Sequence, residues 1–145
     1  MVEKIEHDGR LLALILPADL LPKGVEFYTD DDSAQQVGAM AWPKGRVIPP
    51  HVHNLVDRTV SRTQEVLVIR KGKVRVDLFD ESRNYLESRI LNEGDIILLA
   101  SGGHGFTMLE DAVMVEIKQG PYVGERDKVR FEPIAEEDAS VKHHE

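Results

Sequence analysis

Short apolar runs separated by clusters of turn residues recur along most of this chain, and this punctuation limits its folds more than any other feature. Gln64 to Arg70 (QEVLVIR) is rich in β-branched residues and stops at Lys71-Gly72-Lys73. Val74 to Phe79 (VRVDLF) then alternates apolar and polar side chains, the two-residue period of a half-buried strand. Lys71-Gly72 between two such runs predicts a tight hairpin. Asp80 to Asn84 is turn material before a run from Tyr85 to Leu91, and Asn92-Glu93-Gly94-Asp95 leads into Ile96 to Ala100. Gly102-Gly103 precedes Phe106 to Leu109, and Glu110-Asp111 precedes Ala112 to Lys118. Upstream, Leu11 to Leu16 and Gln36 to Trp42 read as strands, and Pro17 to Lys23 as a turn or short helix. No segment keeps a helical apolar period beyond a turn or two. Strands this short and this evenly spaced predict an antiparallel sandwich or a closed barrel.

At 145 residues the chain has the length of one domain, and 41% hydrophobic residues suffice for a core. Its 26 acidic residues outnumber 18 Lys and Arg, giving a net charge of −8 that repels nucleic acid. The longest apolar stretch, Leu11 to Leu16, is too short to span a bilayer. No secretory leader pattern precedes it, so the expectation is a soluble cytoplasmic protein without nucleic-acid or membrane partners. The chain contains no cysteine. Disulfides, thiolate metal sites and a Cys nucleophile are thereby excluded, and any metal must be held by His and carboxylates.

Three histidines fall where strands meet loops: His51, His53 and His104. His51-Val52-His53 is an H-x-H pair, and in extended backbone residues i and i+2 project from one face, so two imidazoles can converge on one ion. Pro49 and Pro50 hold the approach extended. Glu65 opens the next strand. Imidazole and carboxylate donors suit Fe, Zn, Mn, Ni or Co. Gln64 is the alternative to Glu65, because a slip of one residue exchanges the faces of a strand.

The spacing of these residues, Gly45-x5-His51-x-His53, then Glu65-x6-Gly72, then Gly94-x5-Ala100-x-Gly102-Gly103-His104, resembles the two motifs of the cupin superfamily over roughly residues 36 to 118. Three departures stand out. Eleven residues separate His53 from Glu65, against three or four in the family pattern. Ala100 replaces the second-motif proline, with one residue fewer before His104. Met108 stands where the pattern often has Asn. The resemblance implies an all-β, single-domain jelly-roll β-barrel: strands within 1–35 packing on a core of 36–120, followed by an extension of 121–145. It also implies a divalent metal on His51, His53, Glu65 and His104, with open positions for a small-molecule substrate or dioxygen. The segment 54–64 becomes a lid.

Apolar walls are expected from Val66 or Leu67, Ile97, Phe106 and Met108. Arg58 and Arg62 in the insertion, with Lys44 and Arg46 upstream, are candidate contacts for an anionic substrate; Gln64, Phe106 and Met108 complete the substrate-side set. Ordinary solvated loop charge is the alternative for the cations. Glu116 and Lys118 lie on the face of their strand opposite Val113, Val115 and Ile117. They either line the cavity as acid–base groups or, as is commoner on a half-exposed sheet, face solvent, and the solvent side is the reading taken. His143-His144 reads as a solvated end within a tail whose last ten or so residues are expected to be poorly ordered. Catalytic residues are not assigned. Oxygenase and isomerase chemistry both stay open, as do a non-catalytic metal or metabolite binder and a metal-free sugar-nucleotide isomerase or epimerase. Exposed sheet edges in so small a barrel predict a homodimer.

Overall fold

A computed structural model describes residues 1–143. Ten strands follow in chain order: β1 (Glu3–His7), β2 (Arg10–Leu16), β3 (Val25–Phe27), β4 (Gly38–Met40), β5 (Glu65–Lys71), β6 (Val74–Phe79), β7 (Tyr85–Leu91), β8 (Ile96–Leu99), β9 (Gly103–Met108) and β10 (Val113–Lys118). Two single-turn 3₁₀ helices, Gly124–Asp127 and Glu136–Asp138, are the helical elements among the described residues, and neither is long or apolar enough to cross a membrane. The all-β expectation is met.

The strands fall into two compact units. One comprises Met1–Leu20 with Arg62–Glu145, the other Leu21–Ser61. The smaller unit contains the antiparallel pair β3–β4 and otherwise loop, including residues 41–61. In the larger unit, a five-stranded antiparallel sheet in the order β1-β2-β8-β5-β10 and a three-stranded sheet in the order β7-β6-β9 are both open; neither closes on itself.

Alternation explains how the two sheets bury each other. Ala13, Ile15, Leu67, Ile69, Ile97 and Leu99 from the first sheet meet Val74, Val76, Leu78 and Leu91 from the second in one core. The cross-strand rows are continuous: Ile15 pairs with Ile97, which pairs with Leu67. Val76 pairs with Phe106, and Phe106 packs against the same core.

The hairpin expected at Lys71-Gly72 is a corner. β5 pairs with β8 and β10, whereas β6 pairs with β7 and β9, so the chain leaves one sheet for the other at Gly72. Gly72 has φ +85°, and a Cβ there would run into the Asp111 carbonyl, so the corner needs glycine. Two apolar runs around a Lys-Gly pair look alike whether the strands pair directly or face each other across a core.

Parity in β10 is also the reverse of the solvent-side reading. Glu116 pairs with Leu67, and Lys118 with Glu65, so both share the face that Leu67 presents to the core. Val113, Val115 and Ile117 turn outward and are exposed. An amphipathic edge strand carries no label saying which of its faces is inside.

The tail is bonded where poor order was expected. Ser88 on β7 donates its main-chain N–H to the Ser140 carbonyl at 2.9 Å and accepts from the Lys142 N–H at 2.9 Å, so Val141 bridges beside it. Residues 144 and 145, and with them the second member of the His143-His144 pair, lie outside the described residues.

Candidate functional site

Glu65 is the first residue of β5, at the end of a row that runs Ala13, Leu99, Glu65, Lys118 across the larger sheet. His104 is the second residue of β9 and pairs with the core residue Leu78 in the smaller sheet. Two side chains from facing sheets thus meet, His104 Nε2 lying 3.3 Å from Glu65 Oε2, both partly shielded from water. The hydrogen bond from His104 holds the Glu65 carboxyl below its ordinary range; burial opposes this, and the charges of His104 and Lys118 reinforce it. Glu65 is therefore a carboxylate at neutral pH.

Backbone geometry places His104. Gly102 adopts φ +73°, a Cβ there would run into the Phe79 carbonyl oxygen, and a Cβ at Gly103 would sit 2.9 Å from Phe131 Cζ. Side chains at either position would crowd Phe79, so the glycine pair lets β9 lie close against β6. The Phe106 ring, two residues on and on the same face, lies 5.8 Å from the His104 ring.

His51 and His53 belong to the smaller unit and lie in loop, both exposed. Their ring centroids are 5.2 Å apart. His51 Nδ1 is 3.1 Å from the Pro49 carbonyl. A carbonyl only accepts, so Nδ1 carries a proton, and in the neutral ring the lone pair is then on Nε2, the tautomer a metal ligand needs. The four residues named as ligands therefore form two close pairs, one in each unit. Among the described residues, no group of three or more His, Asp or Glu side chains is gathered closely enough to hold a metal ion.

The substrate-side residues divide. Gln64 is buried. Its side-chain amide donates to the Ala100 carbonyl at 3.3 Å, and its N–H donates to Gln119 Oε1 at 2.7 Å, so Glu65 is the residue that faces the imidazole. Arg62 is paired with Glu81, which also accepts from Arg10 at 3.4 Å and from the Gly102 N–H at 3.3 Å. Its charge is thereby compensated at the base of the insertion. Arg58 is exposed in the smaller unit, and Arg46 stacks over Trp42 at 4.7 Å. Met108 is exposed at the far end of β9, while Phe106 is partly buried.

One cluster was missed from sequence. Arg75 and Asp77, each 3% exposed, lie on the outer face of the smaller sheet in a two-pronged ion pair of 2.8 and 3.1 Å. The Arg75 guanidinium also donates to the Ile134 carbonyl at 3.0 Å. Ser88 Oγ lies 2.5 Å from Asp77 Oδ1, and Tyr85 joins Ser88 Oγ to the Ser140 N–H, both at 2.7 Å. The signal was present: opposite charges at i and i+2 on one strand share a face and can neutralise each other there.

Comparison of the chain with family models, with curated proteins and with solved structures gave no match.

Proposed function

We propose that this chain is a cupin-type metal-binding protein acting on a small molecule, its two open sheets corresponding to the walls of a jelly-roll barrel. The observation that carries the reading is the Glu65–His104 pair, a carboxylate held ionised beside an imidazole at the meeting of the two sheets. The donors fit a borderline divalent ion: one anionic oxygen, one imidazole nitrogen, and in the H-x-H pair a tautomer that leaves Nε2 of His51 free to donate. The resemblance supplies His51 and His53 as the remaining ligands. Fe, Zn, Mn, Ni and Co are the ions this set suits. A bound ion of this class supplies Lewis acidity or oxygen activation. The protein's own residues hold a carboxylate, orient an imidazole and offer the Phe106 ring as an apolar wall for the ligand.

A second reading rests on the same contact. Glu65 orienting His104 is also an acid–base dyad complete within one unit, the arrangement that metal-free proton transfer requires.

Metal content separates the two. Protein purified without chelator or immobilised metal, then exposed to each divalent ion and desalted, is expected to retain close to one ion per chain. Glu65→Ala, His104→Ala and the double variant His51→Ala/His53→Ala are each expected to lose it. A wild-type protein that retains no ion from the whole panel would leave the dyad as the surviving reading. Oxygen uptake over small acids and diols then distinguishes an enzyme from a binder.

A further inference from the structure

Strand β10 ends the five-stranded sheet, and among the described residues nothing pairs with its far side. The Gln119 N–H bonds toward β5, reaching the Gln64 carbonyl. Main-chain groups alternate along a strand, so those of Val115 and Ile117 also point toward β5. Those of Glu116 and Lys118 then point to the open edge. Outward side chains on the same strand are apolar and uncovered: Val113 is 51% exposed, Val115 39% and Ile117 55%. Unpaired main-chain groups beside an apolar outer row make an edge that invites another strand.

We propose that β10 is where two copies of this chain join, antiparallel, merging their five-stranded sheets across a two-fold axis at Ile117. Self-complementarity of charge argues for a second copy as the occupant. Opposed residues in an antiparallel pair share a face, so the centre must fall on a residue. Centred on Ile117, the pairing sets Glu116 opposite Lys118 of the second copy and Lys118 opposite its Glu116. Both pairs use the main-chain groups that point outward. Ile117 meets its own counterpart on the apolar face. Centring on Glu116 or on Lys118 sets like charges together, and centring on Val115 opposes Glu116 to Met114. Only the Ile117 register satisfies both charges.

The contact is one short strand per copy, small for a stable dimer, so association in the micromolar range is expected. Sedimentation equilibrium of the full chain from about 1 µM to about 1 mM measures it. Lys118→Glu places two like-charge pairs across the axis and is expected to raise the dimer dissociation constant about tenfold or more. Glu116→Lys is expected to do the same. The double variant Glu116→Lys/Lys118→Glu restores opposite charges and is expected to return to within about threefold of the starting protein. Both positions are exposed, and an unchanged far-UV circular dichroism spectrum verifies that the variants fold. Amide exchange at Glu116 and Lys118 is expected to slow as concentration rises. A wild-type protein still monomeric at the highest concentration overturns the proposal. So does a dimer that Lys118→Glu leaves untouched, or a double variant no tighter than the single ones.

Discussion

Asp77→Ala tests how the buried ion pair on the smaller sheet contributes to folding. Asp77 accepts two hydrogen bonds from the Arg75 guanidinium and lies 2.5 Å from Ser88 Oγ, with both charged residues 3% exposed. Removing the carboxylate leaves a buried cation that still donates to Thr107 Oγ1 and the Ile134 carbonyl. Breaking a buried pair from one side costs about 3–5 kcal/mol, because the surviving charge stays desolvated without its counter-charge. At this chain length 1 kcal/mol corresponds to roughly 2–4 °C, so the midpoint of thermal unfolding should fall by roughly 6–20 °C. Urea unfolding followed by circular dichroism gives the free-energy change directly. The double change Arg75→Met/Asp77→Leu removes both charges and keeps the volume, and it is expected to cost less than Asp77→Ala alone. A loss below about 1 kcal/mol for Asp77→Ala, or a double variant at least as unstable as the single one, would refute the assignment of a buried, mutually dependent pair.

Three further substitutions probe turns and loops of the chain. Asp80 caps the β6–β7 turn, its oxygens accepting from the Ser82 and Asn84 N–H groups and from the Asn84 side chain at 2.9–3.0 Å, and the Asn84 bonds hold its carboxyl below the ordinary 3.8. A lowered folded-state value adds stability that is fully present above the ordinary value and is lost as pH falls through the folded one. The stability gap between wild type and Asp80→Ala should therefore be constant near neutrality and shrink in acid; a gap that widens in acid contradicts the capping. Gly72→Ala should cost about 2–4 kcal/mol, since a positive φ and the Asp111 carbonyl both resist a Cβ, whereas Gly45→Ala, at φ +90° with nothing within 4 Å, should cost about 1–2 kcal/mol. Equal losses in urea melts would show that the close approach at Gly72 adds nothing.

Local chemistry was legible in the sequence because its signals are short-range. The two-residue alternation of Val74 to Phe79 and the short apolar run of Ile96 to Ala100 announce strands whatever they pair with, and glycine at 72 and 102 announces backbone that other residues resist. The absence of cysteine confined any metal to imidazole and carboxylate donors, and the order His51, His53, Glu65, His104 supplied a candidate set. Which strands share a sheet was not legible, because Lys71-Gly72 serves a hairpin and a corner alike. Nor was the inward face of β10, where polar and apolar residues alternate equally well in either orientation. Only the tertiary structure set Glu65 against His104 and bonded the Gln64 amide to the Ala100 carbonyl. It also folded the tail over Arg75 and Asp77, and so made a pair of ordinary surface charges into a buried one. Those contacts depend on which distant segments face each other, which is decided by how a whole set of strands shares one core.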